Sequence, residues 1–177
     1  MKAVARAWFE MIRWARGRTC PHCASTEINP VTNGNPMLYH CGACRKYFSV
    51  KMGTVVQSSN LPLRKWVIGF YLMSTNLKGV SIMKLYRDLK VTQKTSWIMT
   101  PKIRQAWNED QAFLTGSVEV DETYHGMFRK MSTKHSHRYV NEFAGRHNIR
   151  EADTIEQMAF LAQGVAEKRL PYKESVA

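Results

Sequence analysis

The sequence predicts an α+β protein, with a small ribbon of short strands at the front and mostly helical units behind it. Three observations predict this class. All four cysteines fall in two Cys-x-x-Cys pairs, a spacing typical of a metal-binding ribbon. Apolar residues beyond residue 60 recur at intervals of three and four, as in amphipathic helices. The strand-like segments are short. We expect the 177 residues to form one domain or a few small ones.

The first predicted element is a helix over residues 4–16, within an N-terminal segment of residues 1–19. Ala5, Trp8 and Ile12 share its apolar side, which we expect to pack on the ribbon. The segment lacks the apolar stretch of a signal peptide. No apolar run in the chain approaches the roughly 20 residues that span a bilayer. We therefore expect a cytoplasmic protein that does not enter a membrane.

The cysteines organise the next segment, residues 20–57. Seventeen residues separate the two pairs, and the two-residue gap within each pair lets both sulfurs point at one centre. Zn²⁺ takes four thiolates tetrahedrally and then has no open position, so the pattern predicts a structural zinc ribbon with Tyr39 and Phe48 in its core. A rubredoxin-like iron site and two disulfides are the alternatives, and the disulfides would need an oxidising compartment. The predicted ligands are Cys20, Cys23, Cys41 and Cys44.

The charge of the chain predicts a polyanionic partner. The formal net charge is +12 and the isoelectric point is about 9.8. Residues 28–87 contain eight lysines or arginines and no aspartate or glutamate. Because carboxylates repel phosphate, their absence keeps the positive field unbroken, which favours nucleic acid as the partner. A membrane surface is the alternative.

Residues 60–108 predict three helices. The first begins near Leu61 and carries apolar residues from Leu63 to Tyr71 at offsets 0, 3, 4, 7 and 8. Ser81 and Thr92 are predicted N-caps of the second and third helices. We expect Pro101 to interrupt the third helix, with Thr100 capping a restart that reaches Trp107.

Three helices with a short turn before the last predict a helix-turn-helix unit, although a three-helix packing unit without DNA contact is the alternative. In a helix-turn-helix, the start of the last helix enters the major groove. The predicted DNA contacts combine four polar residues at that start with basic residues of the acid-free run: Gln93, Lys94, Thr95, Ser96, Arg45, Lys46, Arg64, Lys65, Lys84 and Arg87.

The remaining segment, residues 117–177, predicts one short strand and two helices. The short strand places Val118 and Val120 on one face and has Asp121 at its end, after a loop at 108–117. A helix from Ser132 to about Arg146 is expected to bury Tyr139, Val140 and Phe143. Asp153 is expected to begin the last helix as a cap. The predicted apolar face of that helix consists of Ile155, Met158, Ala159, Ala162 and Val165.

Several motifs in this order resemble bacterial insertion-sequence transposases with an N-terminal zinc ribbon and a DDE domain. The matching motifs are Cys-Pro-His-Cys, Tyr-His-Cys-x-x-Cys-Arg-Lys-x-Phe-Ser-Val and Leu-Pro-Leu-Arg-Lys-Trp at the front. Val-Glu-Val-Asp-Glu-Thr-Tyr and the segment from Lys130 to Asn148 extend the resemblance through the C-terminal part. The combined order covers nearly the whole chain.

The resemblance implies an RNase H-like fold in which three carboxylates hold two Mg²⁺ ions for DNA strand transfer. Asp121 matches the first carboxylate, and Glu122 is its neighbour and not a ligand. The segment that would carry the second Asp and the Glu is absent between Tyr124 and Lys130. Residues 117–177 are therefore predicted to be a mostly helical remnant of the DDE domain, and the Mg²⁺ of intact relatives is not expected to be held here.

We therefore predict a DNA-binding, catalytically defective transposase derivative, with the duplex ends of its element as partner. A second copy or a full-length transposase is a further possible partner. An enzyme that recruits carboxylates from another subunit is one alternative. A zinc-ribbon module that binds nucleic acid or docks a partner without any role in transposition is the other.

Overall fold

A computed structural model describes residues 2–76, 79–107 and 136–166, which form six α-helices, three strands and one 3₁₀ turn. The predicted loop at 108–117 and the predicted short strand from Val118 to Asp121 lie outside these residues. None of the described helices is long and apolar enough to cross a bilayer. The elements are α1 Lys2–Arg13, β1 Ile28–Pro30, β2 Tyr39–Cys41, β3 Tyr47–Phe48, α2 Leu63–Thr75, α3 Ile82–Leu89, α4 Gln93–Arg104, a 3₁₀ turn Gln105–Trp107, α5 Ser136–Asn148 and α6 Thr154–Ala166.

The ribbon is an antiparallel sheet in the order β1-β2-β3. Strands β1 and β2 form a hairpin, closed by a turn in which the Gly34 N–H donates to the Val31 carbonyl. Gly34 has φ +61°, a backbone conformation that glycine adopts without strain. Tyr39 and Phe48 are paired across β2 and β3 and are both buried, which confirms the predicted ribbon core.

Helix α1 connects the ribbon to the helical part of the protein. Directly after the helix, the Trp14 ring packs edge-on against Tyr39 and Phe48 at 5.5 and 6.3 Å between centroids. On the other side, Phe9 stacks on Phe70 of α2 at 6.3 Å. The expected contact with the ribbon is therefore made by Trp14, beyond the end of α1. Helix α1 itself packs against α2 and α6 in the helical core.

The caps of α3 and α4 are confirmed, but the predicted apolar stripe of α2 is displaced. The side-chain oxygens of Ser81 and Thr92 accept the backbone N–H groups three residues on, both at 3.2 Å. Tyr71 is exposed, and the buried face of α2 runs instead through Gly69. A Cβ on Gly69 would lie 2.3 Å from the Met99 methyl group, so the glycine lets α4 approach closely.

The predicted interruption of α4 at Pro101 is wrong, because the helix runs through this residue to Arg104. A proline inside a helix costs about 3 kcal/mol or more. Met99 and Ile103 are both fully buried, and each contributes roughly 1.5–3 kcal/mol by leaving water. The Thr100 hydroxyl also donates to the Ser96 carbonyl at 2.9 Å. Tertiary packing therefore outweighs the local preference of the proline.

Helix α5 buries a different face from the predicted one. Phe143 is 41% exposed, whereas its neighbour Glu142 is wholly buried. The cause is close packing around Gly145, where a Cβ would lie 2.0 Å from Cε3 of Trp107. The glycine brings the neighbouring helix turn against this indole, which places Glu142 inside and Phe143 outside.

Helix α6 packs in the centre of the helical part, against α1, α2 and the 3₁₀ turn. Asp153 caps it as predicted, accepting the Ile155 and Glu156 N–H groups at 2.7 and 2.8 Å. The expected burial of Ile155 is wrong, because the buried face begins only at Leu161. Near the end of the helix, the Val165 carbonyl accepts the Val55 N–H at 3.1 Å.

Candidate metal centre and nucleic-acid interface

The four cysteine sulfurs form one cluster, with all four Sγ atoms within 4.8 Å of one another. The Sγ atoms of Cys20 and Cys44 are 3.7 Å apart, and those of Cys23 and Cys41 are 3.6 Å apart. Thiolates at about 2.3 Å from a tetrahedral zinc lie about 3.8 Å from one another. Disulfide sulfurs lie at about 2.05 Å, so the disulfide alternative does not fit. The cluster is a zinc-ribbon site with four thiolate ligands, and its zinc would be structural.

The same backbone conformation follows both Cys-x-x-Cys pairs and orients their sulfurs toward the cluster. The residue after each second cysteine, Ala24 or Arg45, has a left-handed backbone with φ of 58° or 56°. This turn brings the chain back, so that the Cys20 N–H donates to the Ser25 carbonyl and the Cys41 N–H to the Lys46 carbonyl. Each knuckle is thereby closed by the residues that follow it. His22 and His40 lie outside the cluster, as expected, and His40 packs on the Tyr47 ring.

Hydrogen bonds and neighbouring sulfurs shift the pKa values of Cys41 and Cys23 in opposite directions. The backbone N–H of Cys44 lowers the pKa of Cys41 to about 7. The backbone N–H of Ser25 also lowers the pKa of Cys23, but desolvation and the surrounding sulfurs outweigh it and raise that pKa to about 12. Four sulfurs this close cannot all be negative without a cation between them. Zinc binding must therefore displace protons from this cluster.

The predicted DNA-contacting cations lie on two parts of the surface. Arg45 and Lys46 are exposed on the second knuckle of the ribbon. The helical set is exposed on α2, α3 and α4, where Asp88 is the one acidic residue between residues 60 and 107. Lys65 is the exception, because it is partly buried and its Nζ donates to the Lys90 carbonyl at 2.8 Å. The exposed helical members are Arg64, Lys84, Arg87, Gln93 and Lys94.

The exposed face of α4 differs from the predicted one at three positions, the first being Thr95, which is only partly exposed. Ser96 is 0% exposed, which removes it from the side chains that could touch DNA on this surface. Trp97, which is not among the predicted DNA contacts, is 43% exposed. The signal was present in the sequence, because buried Met99 and Ile103 fix the inner face and the helical period then turns Ser96 inward. Gln93, Lys94 and Trp97 share the outer face.

A buried ion cluster joins α4, α5 and the end of α2. Glu142 is 0% exposed and accepts from Arg104 Nε at 2.5 Å, while Arg146 Nη2 lies 3.3 Å from its other oxygen. Arg146 also donates to the Asn76 carbonyl at 2.7 Å, and the Arg104 guanidinium stacks on Tyr139. Both carboxylate oxygens thus face guanidinium groups. Because both oxygens are occupied in this way, Glu142 is unsuited to hold a catalytic metal.

Comparison with known proteins supports a transposase-related role for the chain. Residues 3–47 match the family described as the transposase zinc-ribbon domain. The chain is 31% identical over 117 residues to a Halobacterium salinarum protein named "Uncharacterized protein in transposable element ISH50". That alignment covers 64% of this chain but only 38% of the other, so the chain matches little more than a third of the length of this relative. No solved structure matches.

The comparisons support the zinc ribbon and a relation to a transposable element. They do not show the DDE domain. The related protein is archaeal, so the bacterial origin stays a prediction. Asp121 and about half of the segment expected to be an RNase H-like remnant lie outside the described residues. The predicted Mg²⁺ chemistry and the partner proteins also stay predictions.

Proposed function

We propose that this chain is a DNA-binding protein of a transposable element, which grips the duplex ends of the element and lacks strand-transfer activity. The observation that carries the proposal is the outer face of α4, where Gln93, Lys94 and Trp97 are exposed beside an almost acid-free surface. The transposase zinc ribbon at residues 3–47 supports the mobile-element setting.

The connection between α3 and α4 supports a helix-turn-helix arrangement. Only three residues, Lys90 to Thr92, separate the two helices. Lys90 adopts a left-handed conformation with φ 48° and ψ 56°, which reverses the chain, and Thr92 caps α4. Lys65 of α2 fixes this turn through its bond to the Lys90 carbonyl. In this arrangement the first turn of α4 would enter the major groove, and Arg87 at the end of α3 would meet a phosphate.

The zinc ribbon would supply a second set of contacts to the DNA backbone. The Lys46 carbonyl is bonded to the backbone of a metal-ligating cysteine, and Arg45 adjoins another such cysteine, so the metal would hold both cations in place. Trp14, directly after α1, contacts the ribbon, and Phe9 within α1 contacts α2, so this segment joins the ribbon to the helices. Such contacts to phosphates fix position on the duplex without reading its sequence. Base reading would then fall to α4.

Salt-dependent binding tests this proposal. We would measure fluorescence anisotropy of the zinc-loaded protein with duplexes from the ends of the element and with a random duplex, across a salt series. Each lost phosphate contact reduces the slope of log K against log salt by about 0.9. The double variant Lys94→Ala/Arg87→Ala should reduce that slope by one to two such steps. Arg150→Ala, which removes an equally exposed charge on the turn between α5 and α6, is the matched control.

Two results would count against the proposal. Equal effects of the double variant and of the control on the salt slope would move the DNA contacts away from α3 and α4. Nicking of the same duplexes by the purified protein with Mg²⁺, lost in Asp121→Ala, would contradict the catalytic defect. It would favour an enzyme that completes its carboxylate set from another subunit.

A further inference from the structure

The first two turns of α4 have few side chains that a partner could reach. Ser96 is wholly buried, and the hydroxyls of Thr92 and Thr95 are hydrogen-bonded to each other at 2.8 Å beside the N-terminal cap. Gln93 is exposed, and its amide makes no hydrogen bond within the part of the chain that the structure describes. This amide therefore keeps both a donor and an acceptor for an external ligand.

Trp97 is the second accessible side chain of these turns. It is 43% exposed, and its indole makes no hydrogen bond or ring contact among the described residues. The packing of α4 is provided instead by Met99 and Ile103 on the inner side, which are 1% and 0% exposed. The exposed part of the indole is therefore open to apolar contact with a partner.

Gln93 and Trp97 lie one helical turn apart on the same side of α4. Four residues advance an α-helix by about 6 Å, and neighbouring base pairs are about 3.4 Å apart. If α4 lies in the major groove, the two side chains therefore reach base pairs no more than about two steps apart. Lys94, the residue between these two on the exposed side, suits a phosphate beside the groove.

The chemistry of the two side chains favours A·T base pairs. Adenine presents the N7 acceptor and an amino donor in the major groove, and these match both groups of the Gln93 amide. Guanine presents two acceptors there, so it would leave the amide oxygen without a partner. Thymine carries a methyl group in the same groove, where apolar side chains contact it. An exposed indole one turn from a glutamine can make that contact.

We propose that α4 recognises two A·T base pairs, with Gln93 at the adenine edge of one and Trp97 at the thymine methyl group of the other. This recognition rests on the DNA-binding function proposed above and specifies which base pairs that function reads. Both side chains are uncharged, so they determine sequence preference, whereas the cations of α3 and α4 bind the phosphates of any duplex. Sequence preference and salt dependence are therefore separable by mutation.

The first experiment identifies the recognised site. The full zinc-loaded chain would select duplexes from a pool with a randomised centre, and fluorescence anisotropy would measure the affinity of the recovered site with single-base analogues. Replacing one adenine with 7-deazaadenine removes the N7 acceptor and should weaken binding by about tenfold. Replacing one thymine with uracil, within two base pairs of that adenine, removes the methyl group and should weaken binding by about fourfold.

Matched variants assign each effect to one side chain. Gln93→Ala should abolish the effect of 7-deazaadenine and keep that of uracil, and Trp97→Ala should do the reverse. Gln93→Glu only accepts hydrogen bonds, so its preferred base at that position should change from adenine to cytosine. Tyr71→Ala, which removes a similarly exposed aromatic side chain from α2, should keep both effects. Lys94→Ala should reduce the salt slope by about 0.9 and also keep both effects.

Folding of the variants is checked by thermal circular dichroism. All of these side chains are exposed, so each variant should unfold near the wild-type temperature. Persistence of either analogue effect in the variant expected to abolish it overturns the assignment to Gln93 or Trp97. A chain that binds duplexes with a clear salt slope but enriches no A·T pairs overturns base reading by α4 and leaves the DNA-binding function intact. A chain that binds no duplex at any salt concentration contradicts both.

Discussion

Replacing Glu142 with glutamine tests the buried ion cluster most directly. The substitution keeps the size and shape of the side chain and removes its negative charge. Arg104 and Arg146 are only 5% and 7% exposed, and both face Glu142 in the interior. In Glu142→Gln, both guanidinium groups stay buried without the carboxylate that compensates them. The variant therefore isolates the electrostatic part of the contact between α4 and α5.

The expected loss of stability is large. Removing one partner from a buried ion pair costs about 3–5 kcal/mol, because the other charge is left uncompensated. A protein of this size is stabilised by only about 5–15 kcal/mol in total. With an m-value of about 2 kcal/mol/M, the urea midpoint should fall by about 1.5–2.5 M. The triple variant Arg104→Met/Glu142→Leu/Arg146→Met removes all three charges together and should lose less than the single variant.

Urea unfolding of the zinc-loaded protein, followed by far-UV circular dichroism, measures both effects. Glu151→Gln is the matched control, because Glu151 is exposed on the turn before α6. Its midpoint should not change measurably. A Glu142→Gln midpoint within about 0.3 M of wild type would refute the reasoning, since it would mean that water or a neighbouring group compensates the two arginines.

Three further changes have definite expected outcomes. Lowering the pH should release zinc, because protons compete with the metal for sulfurs whose metal-free pKa values include about 7 for Cys41 and about 12 for Cys23, and a chromogenic chelator would follow the release. Gly145→Ala should lower the thermal midpoint by an amount equivalent to about 1–3 kcal/mol, because its Cβ would meet the rigid Trp107 ring, whereas Gly69→Ala meets the flexible end of Met99 and should lose less. An equal loss in both glycine variants would contradict this distinction. Lys90→Gly should raise the thermal midpoint by the equivalent of about 1 kcal/mol, because Lys90 has φ 48° and glycine adopts that conformation without strain; an unchanged or lower midpoint would argue against strain at this turn.

The sequence was sufficient wherever structure is set by neighbours along the chain. The zinc ligands follow from cysteine spacing alone. The caps Ser81, Thr92 and Asp153 follow from side chains that bond to N–H groups two or three residues away. These interactions do not depend on tertiary contacts, so residue spacing and side-chain chemistry are enough to predict them.

The errors concern which face of a helix is buried, and these faces depend on distant residues. Tyr71 and Phe143 both fit a helical apolar stripe, yet both are exposed. In each helix, a glycine allows another element to approach closely, and the side of the helix that carries this glycine becomes the buried face. From the sequence alone, a glycine inside a helix indicates only a residue of low helix propensity. Here Gly69 and Gly145 determine the packing.

The predicted boundary between a DNA-binding region and a C-terminal remnant also depends on distant contacts. The predicted boundary lies between residues 108 and 117. In the structure, Leu161, Ala162 and Val165 of α6 are fully buried in the same core as Phe9 and Phe70. Composition and periodicity identify α6 as an amphipathic helix, but they cannot show which surface it covers.

The central position of α6 has a consequence for folding of the protein during its synthesis on the ribosome. All four metal ligands precede α6 in the chain, so a nascent chain could load zinc before α6 is synthesised. The apolar sides of α1 and α2, in contrast, are covered only when residues 154–166 are present. A premature stop codon ahead of residue 154 would therefore leave a metal-loaded polypeptide with exposed apolar surface, which chaperones and proteases recognise.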